Sequence, residues 1–491
     1  MDIRRHSLFV IAVTAVLATA CGRSVSKNEP DGGTDTDTAT DTGTGADGGT
    51  DAGGIIIAGG EGEQSVPHVA LTSDDRLWVS YYSTATGSYV ERLQLLDPSG
   101  AKLLGGDGLL VSDNAQDTWV MDTALATADD DAAILAFGDI RTGQEEVYAF
   151  KIATDGTFEW GADGLALEAG GDPNAWPSVV IASDGDAVFS FESWPDDESV
   201  KDSSVLQRVT PDGMLLWGDG VVLANPAMDV IRPRLAAADN GAVIVVWIET
   251  PDLMSDERVI RARKIAPSGE PVWTDDRTVI SGQPIPMYIE PILEPDGAGG
   301  VFVAFTQVDP GEMLHAYVQH LDANGTSTMP AGGVALSTDE SREWTDPCPA
   351  WIASANELVV SWREMDASQG SNGLAVQRFT PDGARGWGGE GVRLVDLSPD
   401  WLGSSATRGS GSGAAIFYGT APAADFTAIS LFAGRVSLDD ETPVWTPDAL
   451  SPVGTSKSRV EVSARTSTGF WLVWSDSSND TGDIYGLFEA M

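Results

Sequence analysis

Along most of the chain, apolar residues come in runs of four to six, rich in Val, Ile and aromatic side chains. Each run ends at a cluster of Gly, Asp or Pro. Runs of that length and composition read as β-strands between tight turns, and no 3.6-residue helical period is found. Residues 178–181, 187–191, 205–209 and 221–223 form one such set and predict four strands in succession.

The set recurs. Short polar turns begin at Ser73, Ala128, Ser183, Ala238, Pro295, Ser354, Gly409 and Thr466, with spacings of 55 to 59 residues. Eight to ten residues past each start stands an aromatic: Tyr81, Phe137, Phe191, Trp247, Phe305, Trp362, Phe417 and Trp474. Later in each unit comes a turn glycine (Gly100, Gly156, Gly213, Gly269, Gly325, Gly383), replaced in the seventh copy by Asp440-Glu441. Four residues beyond lie Leu104, Trp160, Trp217, Trp273, Met329, Trp387 and Trp445. Eight copies of a four-stranded unit at even spacing predict an all-β fold, an eight-bladed β-propeller.

The two ends agree with a closed ring. The eighth unit stops after its third strand, at 484–488, whereas residues 54–58, ahead of the first unit, copy the fourth-strand pattern. The N-terminal strand is therefore expected to complete the last blade, which pairs two otherwise bare edges. Pro233…Gly241…Trp247 and Gln207-Arg208…Asp212-Gly213…Trp217 resemble the Pro…Asp-Gly-Gly…Trp…Gln-Arg…Asp-Gly…Trp repeat of bacterial secreted and lipoprotein propellers. That resemblance covers nearly all of 54–491 and implies the fold rather than an activity. Thr210–Trp217 and Thr380–Trp387 are similar to the sialidase Asp box, with the glycine one residue early; that motif forms turns and carries no catalytic group.

The beginning of the chain is of another kind. Arg4 and Arg5 precede the uncharged residues 7–20, too short to span a bilayer as a helix but suited to a secretory signal. Leu17-Ala18-Thr19-Ala20-Cys21 resembles the lipobox of bacterial lipoproteins, although Leu17 sits one place earlier than the family's apolar residue. The resemblance implies acylation at Cys21. Residues 21–53 are dominated by Asp, Thr, Gly and Ala, which cannot bury enough apolar surface to fold, so they read as a tether. The expected organisation is a signal peptide over 1–20, a tether over 21–53 and the propeller over 54–491. The expected location is a bacterial envelope, through an outer-membrane lipid anchor, with the body periplasmic or surface-facing.

Charge narrows the choice of partners. The sequence has 28 Lys and Arg against 74 Asp and Glu, a formal net charge of −46. Such a balance argues against nucleic acid, whose phosphates demand clustered cations, and against direct adhesion to anionic lipid. Two cysteines and four histidines leave little for a disulfide framework or a zinc site, so no cofactor is expected beyond loosely held calcium. Cys348 reads as a small buried hydrophobe.

Features repeated in every copy read as architecture. These include the basic residue five places before five of the six turn glycines: Lys151, Arg208, Lys264, His320 and Arg378. Function is expected where copies diverge, in the second-to-third loops and the blade-to-blade connections, which share one face. There the sequence places Trp119, Trp176, Trp194, Tyr288, Trp344 and Trp401 among acidic residues, an arrangement suited to stacking on sugars or holding cationic groups. No Gly-x-Ser-x-Gly elbow, His-Glu-x-x-His pair or phosphate loop occurs, and His68 falls in the first repeat and His315 and His320 in the fifth, without triad spacing. The reading is thus a non-catalytic, monomeric, lipid-anchored protein that binds a protein or glycan through this face. A propeller-type glycoside hydrolase or lyase, and a cation-stabilised structural ring, are the alternatives.

Overall fold

The computed structural model describes residues 54–114, 122–168, 171–195, 197, 199–286, 289–440, 443–478 and 482–491, with a two-residue pairing of Thr19–Ala20 and Arg23–Ser24 ahead of them. From residue 54 onward the strands form eight four-stranded antiparallel sheets. Sequence order equals spatial order within each of blades 1 to 7, beginning with Gln64–Leu71, Leu77–Ser83, Val90–Leu96 and Leu109–Ser112 in blade 1. The first strand of every blade contacts the first strands of its neighbours, and blade 8 contacts blade 1, so the first strands ring the axis.

Blade 8 closes the ring as expected. Ile55–Ala58 adds as its outermost strand, with Ile55 opposite Gly486 and Ile56 opposite Tyr485. Ile57 is wholly buried there. The first turn of blade 8 is also fastened to blade 1 by Ser467, whose backbone N–H donates to Asp75 at 3.1 Å.

The core lies between blades. Each of eight hydrophobic clusters draws on two neighbouring sheets; one joins Trp78 and Leu93 of blade 1 to Phe137 and Phe150 of blade 2. The eight recurring second-strand aromatics are all buried, which explains why the repeat retains a large ring there. The later tryptophans pin each blade to the next. Trp160, Trp217 and Trp273 donate their indole N–H to the carbonyls of Pro211, Pro267 and Ala323 at 3.0, 2.9 and 3.1 Å. Gly213 shows how close this fit is: its φ is 86°, and a Cβ there would lie 2.8 Å from the Trp160 ring.

The basic ladder ties strand to turn. Arg208, with no exposed side chain, pairs with Asp184 and Asp186 at 2.5 and 2.7 Å and donates to the Gly241 carbonyl of the next blade at 2.7 Å. Cys348 is buried, its Sγ 3.2 Å from the Ser405 carbonyl.

Candidate functional site

In six blades the innermost strand breaks register with its neighbour, at Ser65/His68, Ala175/Ser178, Ile231/Arg234, Thr345/Cys348, Gly403/Ala406 and Ser458/Glu461. Each break is a β-bulge, one extra residue that bends the strand and re-aims a side chain. In five of them a non-glycine residue adopts a left-handed backbone: Val66 (φ 55°), Trp176 (53°), Arg232 (55°), Asp346 (54°) and Arg459 (52°). Such a conformation costs about 1–3 kcal/mol and persists only where its surroundings impose it. Proline follows Val66, Trp176, Arg232 and Asp346, which suits a place where the ladder has lost a hydrogen bond.

The same position can be located in two further blades from register. Ala124 pairs with Ala136, and Ile292 with Ala304, as His68 pairs with Ser80. Two residues earlier, in place of Val66, stand Asp122 and Glu290. Seven blades therefore present Val66, Asp122, Trp176, Arg232, Glu290, Asp346 and Arg459 at one level around the axis, where five of the seven are charged. The backbone repeats and the side chains do not, as expected of a site built on a symmetric scaffold.

On one side of this ring, three blades converge on a histidine. His68 Nε2 lies 3.8 Å from Asp122 and its Nδ1 lies 3.7 Å from Glu461, with 9% of the side chain exposed. Behind it, the Tyr82 hydroxyl donates to the Asp122 carbonyl at 3.2 Å, and Thr123 Oγ1 lies 3.0 Å from Tyr82 and 3.3 Å from Glu91. Burial pushes the Glu91 carboxyl well above the usual range, and burial together with Glu91 does the same to the Tyr82 phenol. Arg459 faces Asp122, Glu63, Tyr82 and Glu461, and burial lowers its pKa.

Across blades 3 to 5 the ring carries an aromatic, a cationic and an acidic residue in turn. The Arg232 guanidinium lies 3.2 Å from Glu290 and 3.7 Å from Glu192, and its backbone N–H donates to Glu192 at 2.7 Å. It sits 4.9 Å over the Trp176 ring, whose centroid is 5.4 Å from that of Trp194. Glu290 also binds Arg234. In blade 6, Arg363 holds Asp346 at 3.0 Å.

The aromatic residues singled out from sequence are divided by this geometry. Trp176 and Trp194 meet beside Arg232 and remain half-buried. Trp344 is only 1% exposed and stacks on His315 at 4.0 Å, so it is core and offers no face to a ligand. Trp401 packs against the core between blades 7 and 8. Trp176, Trp344 and Trp401 belong to innermost strands (Asn174–Ile181, Arg342–Ile352 and Trp401–Ser410) rather than to the connections expected. Trp119, Tyr288 and Cys21 lie outside the described residues. The histidines also differ from expectation: His68 gains its carboxylates from blades 2 and 8, a convergence that no local spacing reveals. Among the described residues, no group of three or more His, Cys, Asp or Glu side chains is placed to hold a metal ion. None of their helices is long and apolar enough to cross a membrane.

No family model matches the chain, and no curated protein matches it. Solved structures do. The polysaccharide lyase Uly1 is 11% identical, over 89% of this chain and 91% of its own, with a TM-score of 0.45. An ulvan lyase of polysaccharide lyase family PL25, bound to -[GlcA(1-4)Rha3S]-, is 10% identical over 89% and 95%, with a TM-score of 0.48. The α-L-arabinanase of Penicillium chrysogenum with arabinobiose is 10% identical over 65% and 94%, with a TM-score of 0.36. These matches correct the expectation of a non-catalytic binding protein, since the propellers of known structure that this one resembles include polysaccharide lyases and an arabinanase. With identities and TM-scores this low, they assign no substrate or reaction to the chain.

Proposed function

We propose that this protein is a carbohydrate-active enzyme, a polysaccharide lyase or glycoside hydrolase, whose reaction takes place at the axial ring with His68 moving the proton. The observation that carries this reading is the placement of His68 between Asp122 and Glu461, three side chains delivered to one point by three blades. Breaking a glycosidic bond requires a proton for the departing oxygen, and a base for either the attacking water or the carbon-bound hydrogen. Imidazole serves in both directions near neutral pH. Carboxylates on both sides orient the ring and balance the charge it gains. Arg232 and Arg459, which both act on Asp122, supply positive potential where negative charge develops.

The test is incubation of the full chain with a panel of neutral and acidic polysaccharides. New reducing ends report cleavage of either type, and the ultraviolet absorbance of a new C=C bond reports elimination. Release of neither from any polymer rejects the reading.

We propose further that the chain is an exported lipoprotein acylated at Cys21, with the propeller held off the membrane by residues 22–53. Radiolabelled palmitate should enter the wild-type chain and not Cys21→Ser when each is expressed in a bacterial host. Equal labelling of both rejects the anchor.

A further inference from the structure

Blades 3 and 4 place Trp176 and Arg232 at the same bulge position, one blade apart, each in a left-handed backbone. Arg232 is held from several sides: its backbone N–H by Glu192, its guanidinium by Glu290 and by the Trp176 ring. Yet the side chain is 26% exposed, and among the described residues it makes ion pairs but no side-chain hydrogen bond. Its planar fork of N–H donors is oriented and still open to an acceptor.

Cationic side chains gather around this point. Glu290 bridges Arg232 and Arg234, and burial pushes the neighbouring Glu192 carboxyl up. Arg258, buried beside them, is lowered to about 10 by burial and by the field of Arg232. Arg232, Arg234 and Arg258 are thus gathered in one place, in a chain with only 28 Lys and Arg in total. Several of the others serve the ladder of strand-to-turn ties. A surface as acidic as this one repels polyanions generally, so a cationic spot at the axis selects where one can land.

We propose that Arg232, braced by Trp176 and Glu290, is the specificity residue that receives the carboxylate of a uronic acid unit in the polysaccharide. This rests on the enzymatic reading of the axial ring. A guanidinium matches a carboxylate bidentately, and Trp176 with Trp194 forms an aromatic wall beside it for the sugar ring. Pairing a uronate carboxylate with Arg232 also withdraws charge from the neighbouring carbon and makes its hydrogen easier to remove, which favours elimination over hydrolysis.

The experiment compares uronate polymers (polygalacturonate, alginate and glucuronan) with their carboxyl-reduced, neutral counterparts on the full-length protein. It includes Arg232→Gln and Arg232→Lys, each checked by its melting curve. The expected result is cleavage of at least one uronate polymer, loss of cleavage on carboxyl reduction, and a KM raised at least tenfold in Arg232→Lys, which keeps the charge but not the fork. Equal cleavage of the reduced polymer, including one kept anionic by sulfate esters, overturns the carboxylate assignment and leaves the enzymatic reading standing. So does an Arg232→Lys protein with wild-type KM. If no polymer is cleaved but uronate oligosaccharides bind in an Arg232-dependent way, the enzymatic reading fails and the carboxylate site stands. No cleavage and no binding overturns both.

Discussion

Arg232 and Glu290 occupy the same register position in adjacent blades, and their side chains meet at 3.2 Å. The repeat supplies one backbone site in each blade, and substitution there writes a charge pattern around the axis. Glu290 is central to it because it also binds Arg234, whose side chain is only 11% exposed. Glu290→Gln should therefore lower stability by about 2 kcal/mol, since removing one partner leaves guanidinium groups under-compensated. Chemical denaturation measures this, and Arg232→Gln made in the Glu290→Gln background should cost less than it does alone.

The interblade tryptophan pins are expected to act one blade at a time. Trp217→Phe keeps most of the buried area and loses the hydrogen bond to the Pro267 carbonyl, a cost of about 1 kcal/mol. Trp217→Ala should cost about 3–5 kcal/mol. A shift in denaturation midpoint of similar size for both variants would show that the hydrogen bond contributes more than the packing.

Closure of the ring depends on a strand of four residues. Ile57 is fully buried where Ile55–Ala58 completes blade 8. Ile57→Asp places a carboxylate in that core and frees two sheet edges, so the full chain should aggregate or elute as oligomers in gel filtration. A monomeric variant with an unchanged melting curve would mean that the ring closes without this strand.

Glu91 gives a pH dependence. Its carboxyl is fully buried and its pKa is raised by burial. An acid whose folded pKa lies above its unfolded value favours the fold at low pH. That contribution fades as pH climbs above the ordinary Glu value of about 4.3 and is gone once the folded pKa is passed. Glu91→Gln removes the titration, so it should be more stable than wild type at neutral and alkaline pH, with the gap closing towards pH 4. Melting temperatures across that range decide it, and a gap that widens on acidification would reverse the assignment.

Much of the architecture is visible in the spacing of turns and aromatics, because each blade repeats the same demand for a buried ring and a tight turn. For 178–181 the expected first strand is short by four residues: Asn174–Ile181 begins before the bulge, and Trp176-Pro177 interrupts the apolar pattern there. The same interruption hides the axial ring. The residue ahead of the recurring proline is Val66, Trp176, Arg232, Glu290 or Asp346, a variation legible in the chain as divergence inside an otherwise constant motif. Loops attract attention for the same reason, yet the variable position lies within the innermost strand or just ahead of it. His68 could not be found locally, since Asp122 and Glu461 are separated from it by 54 and 393 residues and only ring closure brings Glu461 near. Trp344 misleads because an aromatic near a strand end looks the same whether it faces solvent or stacks on His315.

The most direct measurement is the rate of polysaccharide cleavage by His68→Ala beside the wild-type chain, on whichever polymer the wild type degrades. Loss of a proton-transfer group predicts a fall in kcat of about 100-fold to 10,000-fold, with the melting curve of the variant close to that of wild type. Cleavage at the wild-type rate by folded His68→Ala would contradict the assignment of the reaction to the axial ring.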